Sequence, residues 1–188
     1  MAKIVVAEFV SVDGYIADHE GSMEGFSAEG DTTQQMIEVQ REWDCLMMGR
    51  VAYEMIRGWA DAPVEDDPIA KFMNTVPKVV VSKSLKEAPW GKWKPARVVK
   101  DVDREIRDQR AREGKDTAIL GSGQLVQYIA SHAQIDEYLL WVYPVAFGRG
   151  KAWAPVMDDL LRLKLVKAKT LESGIVELRY LALSRKER

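Results

Sequence analysis

Two short stretches of the chain combine residue types that hold an anion: Met48-Gly49-Arg50-Val51-Ala52 and Leu120-Gly121-Ser122-Gly123-Gln124-Leu125. Each ends an apolar run with glycine and continues at once with apolar residues at helical spacing. Glycine lets a backbone approach a phosphate closely, and the first turn of a helix presents unpaired N–H donors carrying partial positive charge. Arg50 adds a guanidinium, whose planar donors suit phosphate oxygens. A lone glycine between strand and helix is usually only a turn. Two such junctions at one end of a sheet can clamp a pyrophosphate, so together they point to a nucleotide. A third junction, Val81-Ser82-Lys83-Ser84, offers hydroxyls and one ammonium. These suit a nucleotide 2′-phosphate or else form a polar turn that caps a strand.

Other chemistry is scarcer. GSGQL departs from G-x-G-x-x-G because Val126 stands where the third glycine belongs, and no Gly-Lys-Ser/Thr loop follows it. The usual dinucleotide fingerprint and the ATP phosphate loop are therefore disfavoured. With His19 and His132 far apart and Cys45 the single cysteine, neither a disulfide nor a cysteine- or histidine-rich metal site is expected. Asp13, just before Gly14, reads as a turn residue. Trp59, Trp90 and Trp93 either line a cleft for a planar ring or belong to core and interface.

These stretches need a scaffold, and the pattern supplies one. KIVVAEFV (3–10) reads as a buried strand, followed by a Gly-rich segment, 11–31, long enough to be functional. Asp31-Thr32-Thr33-Gln34 opens a capped helix running to about Glu42. DCLMM (44–48) is a second strand, and Arg50–Arg57 a helix. A short helical piece near Ile69–Asn74 precedes the strand KVVVS (78–82). RVVK (97–100), a charged helix over 101–114, TAIL (117–120) and a helix opened by GSG follow. DEYLLWVYPVAF (136–147) reads as one long strand, and LKLVKAKT (163–170) with GIVELRYLAL (174–183) as a hairpin. Strand and helix alternate to residue 135, then strands follow at hairpin spacing. That order predicts an α/β fold with a mainly parallel central sheet of about eight strands, an antiparallel C-terminal hairpin and helices on both faces.

At 188 residues, with 47% apolar and 30% charged residues, the chain is expected to form a single domain spanning 1–188. The net charge of −2 and the lack of a basic run give no nucleic-acid footprint. No apolar window reaches the roughly eighteen residues of a membrane span, and the N-terminus lacks a signal-peptide pattern, so a cytoplasmic location is expected.

Set side by side, MMGRVAYE, VVVSKSL, TAILGSGQLVQYI and DEYLLWVYPVAFGRGK resemble, in order and spacing, the dihydrofolate-reductase fold family. SVDGYIA and FMNTVPKVVVSKSL resemble one branch of it more specifically. That branch holds the C-terminal reductase domain of the bifunctional riboflavin-biosynthesis protein RibD and its small stand-alone relatives. The resemblance spans about residues 3–183 and implies an NADPH-dependent reductase, usually a homodimer. Carried over by position, Gly49, Arg50, Val51 and Ala52 would hold cofactor phosphates, Ser82 and Lys83 would face the 2′-phosphate, and Gly121, Ser122, Gly123, Gln124 and Leu125 would wrap the pyrophosphate. Ile16 and Ala17 fall where the nicotinamide is held. Ala52 stands where the family often has a hydroxyl, which removes one phosphate contact.

Folate reductases use a carboxylate on the first helix to help protonate a pterin, and Asp31 falls roughly there, although it is equally placed to cap that helix. The Pro-Trp common before that helix is absent, with MEGFS in its place. The resemblance thus implies reduction of a small heterocycle, closest to 5-amino-6-(5-phosphoribosylamino)uracil. The alternatives are a dihydrofolate reductase or a non-catalytic NADPH-binding module. A homodimer is expected from the family and from the aromatic WVYPVAF near the sheet's end.

Overall fold

The structure, a computed structural model, describes residues 1–27, 30–154 and 160–183. Its strands are β1 (Ile4–Ser11), β2 (Tyr15–Asp18), β3 (Trp43–Gly49), β4 (Lys78–Val81), β5 (Ala88–Trp90), β6 (Trp93–Val99), β7 (Asp116–Leu120), β8 (Glu137–Tyr143), β9 (Gly150–Ala152), β10 (Leu163–Thr170) and β11 (Val176–Ala182). The helices are α1 (Asp31–Gln40), α2 (Arg50–Ile56), α3 (Pro68–Thr75), α4 (Val102–Ala111) and α5 (Gly123–Ser131), with a 3-10 turn at Arg57–Asp61. Nine strands form one sheet in the order β10-β11-β8-β1-β7-β3-β4-β6-β5, and β2 pairs with β9 in a separate ribbon.

Strands β8, β1, β7, β3, β4 and β6 run parallel, while β10, β11 and β5 add antiparallel pairs at the two ends. The alternation of side chains along β1 and β3 divides the core in two. Val5, Ala7, Leu46 and Met48 face one side with Val39, Tyr53, Ile69 and Met73, so α1, α2 and α3 cover that face. Ile4, Val6, Cys45 and Met47 face the other with Ile106, Leu125, Val126 and Ile129, so α4 and α5 cover it. Both faces of the central strands are thus dry, which explains why they read as continuous apolar runs. Truncating a fully buried member such as Ile119 to alanine would cost about 2–5 kcal/mol. No helix among the described residues is long and apolar enough to cross a membrane.

The topology brings the glycine junctions together. β3 and β7 are neighbours, and the helices that follow them leave to opposite faces, α2 with the first core cluster and α5 with the second. Such a divergence opens a crevice at the carboxyl ends of the strands, where open α/β sheets bind ligands.

Several expectations need correction. The segment 11–31 contains a strand, β2, whose partner β9 lies over a hundred positions away and is invisible to local pattern. The tryptophan-bearing stretch EAPWGKWKP, which carries no strand pattern between the expected strands KVVVS and RVVK, is a hairpin, with Trp90 opposite Trp93 across Gly91-Lys92. Its prolines hid it, since proline demotes a central strand and is tolerated at an edge. β8 ends at Tyr143 before Pro144, and it lies between β11 and β1 with Trp141 and Tyr143 buried. The strand WVYPVAF therefore offers no edge for a second copy. The sheet's edges are β10 and β5.

Candidate functional site

At the crevice the two junctions touch. The Gly49 N–H donates to Ser122 Oγ at 2.7 Å, and Ser122 Oγ donates in turn to the Leu120 carbonyl at 3.1 Å. A Cβ on Gly121 would lie 3.4 Å from Ala52 Cβ, so the junctions are in van der Waals contact. Gly121 (φ +56°) and Ser122 (φ +76°) are consecutive left-handed residues. For serine that conformation is uncommon, and it survives where surrounding contacts over-determine it. The hydrogen bonds through its hydroxyl do so here. The turn leads straight into α5, whose first turn has no side-chain cap. A Cβ on Gly123 would meet nothing within 4 Å beyond its chain neighbours and its own helical turn. Uncapped donors facing open space are what an anion needs. These residues fit a pyrophosphate.

The other cofactor candidates fall out unevenly. Arg50 is half exposed and its Nη1 donates to Glu54 Oε1 at 2.9 Å, so a phosphate would have to share it. The Gly49 amide is already taken by Ser122, which removes it as a direct phosphate donor. Val51 is exposed, Gln124 is exposed, and Ala52 and Leu125 pack into the core. Ser82 Oγ accepts from the Leu85 N–H at 3.1 Å and the Ser84 N–H at 3.3 Å, closing a turn, while Lys83 is exposed beside it. Ile16 and Ala17 sit on β2, and Gly150 on β9 approaches so closely that a Cβ there would lie 2.1 Å from the Ala17 carbonyl oxygen. Only glycine fits that crossing.

Asp13 does more than turn the chain. It accepts from Ser11 Oγ at 2.5 Å, from the Phe147 N–H at 3.2 Å and from the Gly148 N–H at 2.6 Å. These hydrogen bonds hold its carboxyl below the usual range, with the Ser11 hydroxyl the largest cause. Asp13 thereby ties the start of the first loop to the segment after β8.

Asp31 does not cap α1. The cap position is Gly30, with no side-chain hydrogen bond, and the Asp31 carboxylate accepts from the Glu172 N–H and, at 3.4 Å, from the Ser173 N–H. It braces α1 against the β10–β11 turn. It is also absent from the walls of the cavity beside α1. That cavity, about 520 Å³, is lined by Phe9, Phe26, Thr33, Met36, Trp59, Asp66, Asp67, Pro68 and Ile69. Its aromatic wall is a cluster: Phe9 lies 5.2 Å from Tyr143, and Phe26 lies 4.9 Å from Tyr143, between ring centroids. Of the three tryptophans, Trp59 lines it, Trp90 is fully buried with its N–H on Asn74 Oδ1, and Trp93 donates to the Ala60 carbonyl. Asp67 caps α3 through the N–H groups of Ile69 and Ala70, which leaves Asp66 as the uncommitted carboxylate of the rim. Among the described residues, no lysine or arginine lines the cavity.

Glu8 went unnoticed in the strand KIVVAEFV. It lies on β1 one step beyond the pair Ala7–Leu120, is only 7% exposed, and abuts the Gly121 N–H. Burial pushes its carboxyl up to about 8, partly offset by that N–H. One charged residue inside an otherwise apolar buried run is the signal that could have found it.

The residues matched by known proteins cover almost all of these features. A crystal structure of a protein assigned to riboflavin biosynthesis from Shewanella sp. PV-4 superposes with a TM-score of 0.77 over 98% of this chain and 100% of that one, at 22% identity. A pyrimidine reductase-like protein from Corynebacterium diphtheriae gives 0.71 over 97% and 92%, at 14% identity. The Thermotoga maritima diaminohydroxyphosphoribosylaminopyrimidine deaminase/5-amino-6-(5-phosphoribosylamino)uracil reductase gives 0.69 at 12% identity, over 97% of this chain but 57% of its own. By sequence, the uncharacterized protein YyaP of Bacillus subtilis (strain 168) is 23% identical over 185 residues, 95% of this chain and 94% of its own. Residues 2–177 match the model of the RibD C-terminal domain, and the chain belongs to that family.

Proposed function

We propose that the protein is an NADPH-dependent reductase of a small heterocyclic substrate. The observation that supports it most is the crevice between β3 and β7, where the uncapped first turn of α5 faces open space at Gly123. The Gly121–Leu125 backbone would hold the pyrophosphate, and Arg50 with Ser82 and Lys83 would recognise the 2′-phosphate that distinguishes NADPH from NADH. Bound NADPH would supply a hydride to an electrophilic carbon of the substrate. The chain's own part is to orient and to exclude water: Phe9, Phe26, Met36 and Trp59 offer apolar walls to a planar ring.

The cavity's polar side chains, Thr33, Asp66 and Asp67, are acceptors or neutral. This favours a ring bearing N–H donors over one carrying a phosphate, so a phosphate-free pyrimidine or pterin ranks above 5-amino-6-(5-phosphoribosylamino)uracil itself. Dihydrofolate ranks lower still on the acid expected for it, because the Asp31 carboxylate accepts its two hydrogen bonds from backbone N–H groups outside the cavity. Loss of absorbance at 340 nm with NADPH and each class in turn tests the reading. Turnover of any of them supports a reductase, and NADPH binding without turnover across the series leaves a binding module.

A homodimer is proposed through the edge strand β10, whose Leu165 and Val166 are about half exposed and whose unpaired backbone invites a second strand. Light scattering at the mass of one chain would contradict it.

A further inference from the structure

We propose that Glu8 is a proton-linked partner of the cofactor site: the pyrophosphate and an ionised Glu8 compete for the same end of the sheet, so cofactor binds with uptake of one proton by the Glu8 carboxyl. The inference rests on the NADPH reading and adds to it a residue on the strand behind the crevice.

Four observations carry it. Glu8 is 93% buried by the measure of its 7% exposure, and no side chain among the described residues bonds to it in the way that Arg97 bonds to Glu105 or Lys167 to Glu177. Its contact is the Gly121 N–H, the first donor of the left-handed pair that leads into α5. The register sets Glu8 beside Leu140 on one side, and its neighbour Ala7 beside Leu120 on the other. Its side chain is thereby on the same sheet face as Val6, under α5. Finally, the cap residue of α5, Ser122, makes no side-chain hydrogen bond to the helix's own N–H groups, so an anion at its start meets Glu8 rather than a committed capping group.

Among the described residues, no charged group acts on Glu8 as a counter-charge. β7 contributes Leu120, β8 contributes Leu140, and the start of α5 contributes Gly123, Gln124 and Leu125, none of them titratable. Tyr138 and Cys45 share the face, and burial holds both neutral. Across the crevice, Arg50 is paired with Glu54 at the surface. Burial and the Gly121 N–H are the two causes that act on Glu8. A carboxylate in this place stabilises itself on Gly121. A diphosphate arriving beside it repels that charge, and repulsion between two anions in a poorly solvated site favours the protonated form of the weaker acid. Protonation adds one proton from solvent to a carboxylate oxygen, with no bond broken elsewhere.

Calorimetric titration of NADPH at pH 8.5–9, in Tris and in EPPS, reads the proton count from the difference in heats. Wild type should take up most of one proton per NADPH, and its affinity should fall by roughly tenfold per pH unit above 8, the slope of a single linked proton. NADH should show the same count, because the 2′-phosphate is fully ionised at this pH and is not its source. Glu8→Gln should take up none and bind with a flat pH profile; Glu8→Ala is the second variant. Lys78, pushed down to about 8 by burial, is retained in both variants and so is controlled for. Equal proton counts in wild type and Glu8→Gln, or none in wild type, overturn the proposal while the cofactor reading stands. No NADPH binding at pH 7 by wild type overturns the cofactor reading itself.

Discussion

The backbone N–H of Gly49 donates to the side-chain oxygen of Ser122 at 2.7 Å, joining two glycine junctions that lie 73 positions apart in the chain. This one hydroxyl sets the spacing of the crevice. Ser122→Ala removes it and leaves the Gly49 N–H without its partner, a loss of about 1 kcal/mol. The melting temperature should fall by a few degrees and NADPH affinity by several-fold or more. Ser122→Gly relieves the left-handed strain, so it should restore part of the stability but none of the affinity. Thermal melts with and without NADPH separate the two effects.

Gly123→Val addresses the open space at α5. The added Cβ meets nothing within 4 Å beyond its own helical turn, so the apo protein should melt within a few degrees of wild type while NADPH binding weakens by at least about tenfold, as a branched side chain fills the phosphate's place. Unchanged affinity would move the pyrophosphate away from this turn.

Much of the scaffold was legible because its central strands are buried on both faces and so read as apolar runs. The junctions followed from glycine placed between two periodicities. The β2–β9 ribbon was not legible, since Ala17 and Gly150 meet only through tertiary folding. Glu8 was hidden for a different reason: pattern alone marks it as one polar residue in a strand, and its importance appears only when β7 places Gly121 beside it. Asp31 shows a third kind of limit. Asp before Thr-Thr-Gln reads as a cap, but the hairpin turn at Glu172–Ser173 outcompetes the helix's own N–H groups for the carboxylate.

Asp31 itself separates bracing from catalysis. As a brace between α1 and the β10–β11 turn, Asp31→Ala should cost about 1–2 kcal/mol by denaturant titration and leave kcat with NADPH largely unchanged. A collapse of kcat in Asp31→Asn, with stability intact, would make it the acid.

Glu8 also sets a pH dependence of folding. Its carboxyl keeps its proton up to about pH 8 in the folded chain, against an ordinary value of 4.5. Between those values the folded state binds more protons than the unfolded one, so stability falls as pH rises through that window, by at most about 1.4 kcal/mol per unit, and levels off above it. Glu8→Gln should flatten this slope in urea titrations from pH 5 to 8. Lys78 acts in the opposite sense, its burial penalty easing only above pH 8, so it does not mimic the effect.

Arg50→Ala tests the guanidinium. Its pair with Glu54 is exposed and spaced i,i+4, and such pairs contribute about 0.3–0.5 kcal/mol. The melting temperature should hardly move, whereas NADPH affinity should drop by roughly tenfold, the scale of one charge-assisted contact.

The central claim is that the crevice between β3 and β7 selects a phosphorylated dinucleotide. Calorimetric titration of NADPH and NADH into the wild-type protein at pH 7 measures it most directly. Saturable binding of NADPH, at least about tenfold tighter than NADH, is the predicted result, given about 1.5–3 kcal/mol for each charged contact to the extra phosphate. Equal affinities for the two, or no binding of either, would contradict it.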